Sequence, residues 1–275
     1  MKTVKNKIVL KQMREMCEGA GDILVSHLRK SYKTPIKILD KGSQGLTTEA
    51  DLLSEKFVIG RIKELYPDHL ILSEEDAFVK NIKNMGPVKD QYMWLIDPLD
   101  GTNNFYNKLP FFCVSLALVK GDVPLVGVVY NPLSGEWFHA IKGEGAYYER
   151  ELGGKKFKTK LKAGTQKKEF IESLLSANLT SKRVEKDLLK QFPQVRAMRR
   201  LGSAALELSY VAAGMLDAYW EYRLQPWDIA AAGLICQEAG VKISTIEGEK
   251  FSPFCGSVLA ARLSLYQELK RILLK

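Results

Sequence analysis

The sequence predicts a mixed α/β protein in two halves, the first closing in a meander of short strands and the second alternating strand with helix. Three observations carry this. Apolar residues recur at intervals of three and four through the first 65 residues. Between residues 93 and 148, short apolar or alternating runs are separated by Gly, Pro, Asn and Asp. Beyond Gly153-Gly154, strand-like and helix-like runs take turns. At 275 residues the chain can bury a large core, and the shift in composition at the Gly pair divides it into residues 1–152 and 153–275.

Taken in order, Val9, Met13, Met16, Ala20, Leu24 and Leu28 make the stripe of an amphipathic helix, which Gly19 and Gly21 weaken slightly. Residues 41–45 read as a loop. Thr48-Glu49-Ala50-Asp51 has the form of a capping box before a second helix that carries Leu53, Phe57, Val58, Ile62 and Leu65. A short strand at 70–72 runs into Glu74-Glu75-Asp76, and 80–91 is a polar loop. The apolar run 93–96 is a buried strand ending at Asp97-Pro98-Leu99-Asp100-Gly101, where Pro and Gly turn the chain, and 102–105 opens a short helix. The meander follows, with strands at 112–119, 125–130, 137–140 and 146–148. In the second half, strands are expected at 170–177, 195–201, 218–221, 241–244 and 258–260. Helices are expected at 182–191, 203–213 with Gly214 after it, 229–239 closed by Gly240, and 263–274.

Composition removes several classes of function. Hydrophobic content of 46% and charged content of 27% are ordinary for a soluble globular protein. The run 111–119 is too short to span a bilayer and the lysine-broken start is no signal sequence, so a cytoplasmic protein without a membrane partner is expected. Cys17, Cys113, Cys236 and Cys255 lie far apart, which argues against zinc and disulfides and for buried thiols. His27, His69 and His139 stand in no motif, and neither a G-x-S-x-G nor a Walker A sequence occurs. Net charge is +9, which favours anionic partners. The lysines gather at 155–162. With Phe157 as the one interleaved aromatic, a solvated linker face is the stronger reading and nucleic acid the weaker.

The chemistry lies in four acidic groups: Asp51, Glu74 with Glu75, Asp97 with Asp100, and Asp228. Each has an ordinary explanation to weigh. Asp51 can be the third residue of a capping box, Glu74 to Asp76 a solvated loop, and Asp228 a helix N-cap or first-turn acid. The stretch from Asp97 to Gly101 resists such treatment, because two acids around a Pro at the end of a buried strand are a costly way to turn a chain. Its bend can aim both carboxylates and the Leu99 carbonyl at one point, three hard oxygen ligands for Mg2+. If the clusters converge in so basic a chain, a cation must neutralise them. Oxygen-only donors select Mg2+ or Mn2+ over zinc. Free N–H groups at the start of the following helix suit a phosphate.

These motifs resemble the inositol monophosphatase family of Mg2+-dependent, lithium-sensitive phosphatases. The likeness rests on Glu74-Glu75, on Asp97 to Thr102, and on Trp227-Asp228 with Glu238-Ala239-Gly240. It extends through Leu109-Pro110-Phe111, Arg200 to Ala205, Val211 to Gly214 and Leu216 to Glu221, nearly the whole chain in order. It implies a layered α-β-α-β-α sandwich with a large, mostly antiparallel N-terminal sheet and a C-terminal α/β half. It further implies that Glu74, Asp97 and the Leu99 carbonyl bind one metal, that Asp97 bridges to a second held by Asp100 and Asp228, and that a third, weaker ion sits near Glu74. By the same likeness Thr102, supported by Asp51, orients the attacking water. The Gly101 and Thr102 amides hold phosphate, and Glu221 and Ala204 contact the substrate. The expected substrates are inositol monophosphates or similar sugar and polyol phosphates, and a homodimer is expected. Asn103-Asn104-Phe105 differs from the Lys-Glu-Phe usual in bisphosphate nucleotidases. Fructose 1,6-bisphosphate, histidinol phosphate, 3′,5′-bisphosphate nucleotides, or an RNA- or transcription-complex-binding role remain as alternatives.

Overall fold

The computed structural model describes residues 5–40, 46–79, 86–162, 169–178 and 195–274. Helix α1 (Asn6–Lys30) buries the predicted stripe from Val9 to Leu28. Its two glycines mark close approach. A Cβ on Gly19 would fall 2.5 Å from the Phe57 ring, and one on Gly21 would fall 2.8 Å from the Tyr130 ring. After a small hairpin of β1 (Ile38–Asp40) and β2 (Leu46–Thr48), the capping box of Thr48 and Asp51 opens α2 (Glu49–Leu65).

Seven strands form the first sheet, side by side in chain order: β3 (Leu70–Ser73), β4 (Tyr92–Asp100), β5 (Cys113–Lys120), β6 (Val123–Asn131), β7 (Glu136–Ile141), β8 (Gly145–Leu152) and β9 (Lys155–Lys160). The β3–β4 pair is parallel and the rest are antiparallel. Both faces are covered along the middle of this sheet, which is why β4, β5 and β6 read as nearly continuous apolar runs. Trp94 and Ile96 of β4 pack beneath α1 and α2, while Met93 and Leu95 face the opposite way. On that second face lie α5 (Ala204–Ala212) and α6 (Pro226–Glu238). Helix α6 buries Trp227, Ile229 and every residue from Ala230 to Cys236, because a sheet flanks it on either side.

The second sheet has the order β11-β10-β12-β14-β13, with β10 (Leu174–Asn178), β11 (Ala197–Arg199), β12 (Ala218–Tyr222), β13 (Lys242–Ser244) and β14 (Ser257–Ala261). Strand β10 runs parallel to β11 and β12, and β14 antiparallel to β12 and β13. Helix α7 (Leu263–Leu273) covers its far face through Leu265, Tyr266 and Leu269. The layers are therefore α1/α2, first sheet, α5/α6, second sheet and α7, the sandwich expected from the resemblance.

Several local expectations change. Strand β4 does not stop at Ile96 but runs on through Pro98 to Asp100, with its pairing to β5 shifted between Asp97 and Asp100. Such a bulge accepts a proline, which lacks an N–H for the ladder. Glu74 is not in a solvated loop; it begins α3 (Glu74–Val79). The lysine run is not a linker but strand β9, exposed along its whole length, and Gly153-Gly154 turn the hairpin between β8 and β9. Splitting the chain after residue 152 would part these two strands. Residues 170–172 form a 3-10 turn ahead of β10 rather than strand. Helix α6 starts at Pro226, in the first-turn position proline favours, and not at residue 229. The predicted loop 41–45 and helix 182–191, and residues 80–85 of the polar loop, lie outside the described residues.

Candidate active site

The bulge at the end of β4 builds the centre. Asp97 is buried, and its Oδ1 accepts the Leu99 N–H at 3.0 Å. Ser54 Oγ of α2 donates to the Pro98 carbonyl at 3.1 Å, which fixes the chain from the side. Gly101 then turns it with φ +97, and a Cβ there would stand 3.0 Å from the Phe111 carbonyl and 3.3 Å from that of Gly202. Only glycine suits both the dihedral and the space. Thr102 is the first residue of the short helix α4 (Thr102–Tyr106), and its Oγ1 lies 3.1 Å from both the Leu99 carbonyl and Asp51 Oδ1.

Asp51 fills the local role and the chemical one together. Its Oδ2 accepts the Thr48 N–H at 2.9 Å and the Thr48 hydroxyl, completing the capping box, while Oδ1 faces Thr102. Burial pushes its carboxyl up to about 7, with Glu75 and Glu74 adding to the rise against the Thr48 hydrogen bonds. Glu74 is partly exposed at the start of α3. Glu75 is buried and accepts the Thr47 hydroxyl at 2.8 Å.

The C-terminal half contributes through α5, α6 and β12. Asp100 Oδ2 accepts Ser203 Oγ and the Ala205 N–H, both at 2.7 Å, and the Ala204 N–H also points at this carboxylate. Asp228 is the third residue of α6, and its Oδ2 accepts the Gln225 N–H at 2.7 Å in a capping box. The ordinary reading of Asp228 therefore holds alongside any functional one. Glu221 on β12 is buried and accepts the Tyr219 hydroxyl.

Electrostatics shows that these acids share one region. Asp97 is pushed well above the usual carboxylate range, first by burial and then by Glu74, Asp100 and Asp228. Asp228 is raised in the same way, by burial and then by Asp100, Glu74 and Glu221, against the Gln225 N–H. Carboxylates from β4, α3, α6 and β12 thus repel one another. As the side chains stand, no three Asp, Glu, His or Cys groups among the described residues close on one point that could hold a metal ion. Several of them rest on protein donors, as Asp97 does on the Leu99 N–H, Asp100 on Ser203 and Ala205, and Asp228 on Gln225. The donor set nonetheless fits hard divalent cations, since it is all oxygen and its Asp97 is buried.

The supporting contacts of three residues were not foreseen in the sequence. Glu55 of α2 accepts the Glu75 and Asp76 N–H groups at 2.9 and 3.1 Å. Glu207, buried in α5, accepts the N–H groups of Leu201, Gly202 and Ser203 and so shapes the loop that meets Asp100. Asn104 Nδ2 donates to the carbonyls of Phe111 and Leu201, both at 2.7 Å. A signal existed for Glu207, a lone acid in an otherwise apolar helix. None existed for Asn104.

Comparison with known proteins identifies relatives along nearly the whole chain. The model of the "Inositol monophosphatase family" matches residues 6–274. The chain is 38% identical to an inositol-1-monophosphatase of Synechocystis sp. over 245 residues, covering 86% of this chain and 80% of that protein. It is 35% identical to the Nus factor SuhB of Salmonella typhimurium over 250 residues, covering 88% of this chain and 86% of the relative. Among solved structures, an inositol monophosphatase from Anabaena superposes with a TM-score of 0.77 at 30% identity, covering 98% of this chain and 97% of that one.

Proposed function

From the premise that the chain belongs to the inositol monophosphatase family, we propose that it is a Mg2+-dependent phosphatase acting on inositol monophosphates or closely similar polyol and sugar phosphates. Hydrolysis of phosphate monoesters and dependence on a metal come with the family. The identity of the ion, the substrate and the residue roles are our reading. The observation that carries it is the bulge of β4, where buried Asp97 is followed by Asp100, held by Ser203 and Ala205 of the second half, and by Thr102, whose hydroxyl meets Asp51.

Glu74, Asp97, the Leu99 carbonyl, Asp100 and Asp228 are the residues that would hold two or three Mg2+ ions, with Mn2+ as a substitute. Bound there, the ions would lower the pKa of a coordinated water and offset charge on the phosphoryl and leaving oxygens. The chain supplies the rest. Thr102 Oγ1 carries one proton and stands between two acceptors, so a hydroxyl donating to Asp51 Oδ1 leaves its lone pairs open to a water's proton. An attacking water would give its proton to the Thr102 oxygen as the hydroxyl's own proton moves to Asp51, the acceptor 3.1 Å away. The Gly101 and Thr102 amides face the phosphate, and Glu221 reads substrate hydroxyls. Ala204, whose N–H points at Asp100, adds backbone contact with the substrate beside it.

Phosphate release from inositol 1-phosphate, fructose 1,6-bisphosphate, histidinol phosphate and adenosine 3′,5′-bisphosphate, each with Mg2+, tests this reading. The inositol ester is expected to turn over fastest, with lithium inhibiting. Asp97→Asn is expected to remove activity and metal affinity together while the fold persists. Undiminished turnover by that variant, or in excess chelator, overturns the assignment. A second reading, association with RNA or a transcription complex alongside hydrolysis, draws on the exposed lysines of β9 and the likeness to a Nus factor. It requires a steeply salt-dependent RNA affinity that Asp97→Asn leaves intact. We also propose a homodimer, which light scattering reads directly. No helix among the described residues is long and apolar enough to cross a membrane.

A further inference from the structure

We propose that Glu55 is a positioning residue for the metal centre, holding the first turn of α3 in the orientation that presents Glu74. The inference rests on the reading of Glu74 as a metal ligand. Glu55 stands one turn after Asp51 on α2 and is 7% exposed. Its two oxygens divide two successive amides, Oε2 accepting the Glu75 N–H at 2.9 Å and Oε1 the Asp76 N–H at 3.1 Å. Helix α3 has six residues, and its first turn is three acids in a row. The amides of such a turn have no partner within the helix. Two clamps from separate elements locate this one: Glu55 of α2 grips its backbone, and Thr47 of β2 donates to the Glu75 side chain at 2.8 Å.

The residue type is the informative part. A carboxylate beside Glu75 adds repulsion to a region already crowded with negative charge, so mere capping would be better served by Ser or Asn. What a carboxylate alone provides is acceptors on both oxygens with no donor. Glutamine at 55 would turn an NH2 toward one of the two amides, and aspartate would withdraw the group by one methylene. Either change leaves an amide without its acceptor and frees α3 to rotate, carrying Glu74 off its line to Asp97 and Asp228. Outer partners that orient a ligand commonly influence metal affinity by about 10- to 100-fold.

Mn2+ binding to the purified full chain, read by electron paramagnetic resonance of the free ion, tests this with Glu55→Gln, Glu55→Asp and Glu74→Gln beside the parent protein. Both Glu55 variants are expected to weaken Mn2+ binding about tenfold, to raise the Mg2+ concentration for half-activity in parallel, and to regain parental kcat at saturating Mg2+. The thermal midpoint measured with chelator is expected to fall by a few degrees, with the chain still folded. Unaltered Mn2+ affinity in both Glu55 variants, or a kcat that excess Mg2+ does not restore, overturns the positioning role. Unaltered Mn2+ affinity in Glu74→Gln instead overturns the ligand assignment, so the two failures are told apart. If one Glu55 variant does not fold, the other decides.

Discussion

At the scale of single residues, Thr102 and Gly101 carry opposite kinds of burden. Thr102 is tied to Asp51 and to the Leu99 carbonyl by one hydroxyl, and a valine there keeps the shape and removes the oxygen. If the hydroxyl relays a proton, Thr102→Val lowers kcat by about 10²- to 10⁴-fold, the usual span for a lost acid–base group. Mn2+ affinity should change far less than kcat, since the hydroxyl removed only contacts one proposed ligand, the Leu99 carbonyl, and is not itself one. Steady-state kinetics beside the resonance titration checks both halves of that claim. Gly101 acts through geometry. With φ +97 and the Phe111 carbonyl 3.0 Å from a prospective Cβ, Gly101→Ala is strained in dihedral and in contact together. A loss of about 1–3 kcal/mol in chemical denaturation is expected. Equal stability of the alanine variant would mean that the turn has room the structure does not show.

At the scale of elements, the five-residue α4 reaches across to the second half of the protein through Asn104. Its amide binds the Leu201 carbonyl, on the same loop that sends Ser203 and Ala205 to Asp100. Asn104→Asp sets a carboxylate against two carbonyls, and the lost hydrogen bonds are expected to cost about 1–3 kcal/mol. Asp100 then loses the support of its donors, so the Mg2+ requirement should rise as stability falls; a drop in thermal midpoint with no change in Mg2+ activation would separate the loop from the metal centre. This contact also marks where sequence reading ran out. Periodic stripes made α1 and α2 legible, the box of Thr48 and Asp51 fixed a boundary, and turn residues located the meander, because each is a local rule written in local residues. The acids of the site were legible for the same reason, each ending a strand or starting a helix. What held them was not. Glu55 reaches Glu75 across 20 positions and Asn104 reaches Leu201 across 97, and such pairs leave no spacing to read. The lysine run shows the opposite error. A strand on the edge of a sheet looks like linker in composition because edges are often guarded by lysine.

At the scale of the whole molecule, the buried acids couple folding to pH and to the cation. Asp51 and Glu55 both titrate near 7 in the folded protein, raised above their ordinary values mainly by burial, and Asp97 and Asp228 are raised as well. A carboxyl whose folded pKa is raised holds its proton in the native chain where the unfolded chain has released it. Stability without metal must therefore fall as pH rises from about 4 through about 7, the window between the unfolded and folded values. A divalent cation bound among these groups competes with those protons and relieves their repulsion. Its stabilising effect is thus absent where the acids are protonated and largest where they are ionised. The measurable consequence is a crossed dependence. In thermal scans, excess Mg2+ is expected to raise the midpoint by several degrees at about pH 8 and by far less at about pH 5, while chelator lowers it only at the higher pH. Asp97→Asn, with one acid fewer in the cluster, should be more stable than the parent in chelator at about pH 8 and respond little to Mg2+. Equal Mg2+ increments at the two pH values would place the cation elsewhere than among these carboxylates.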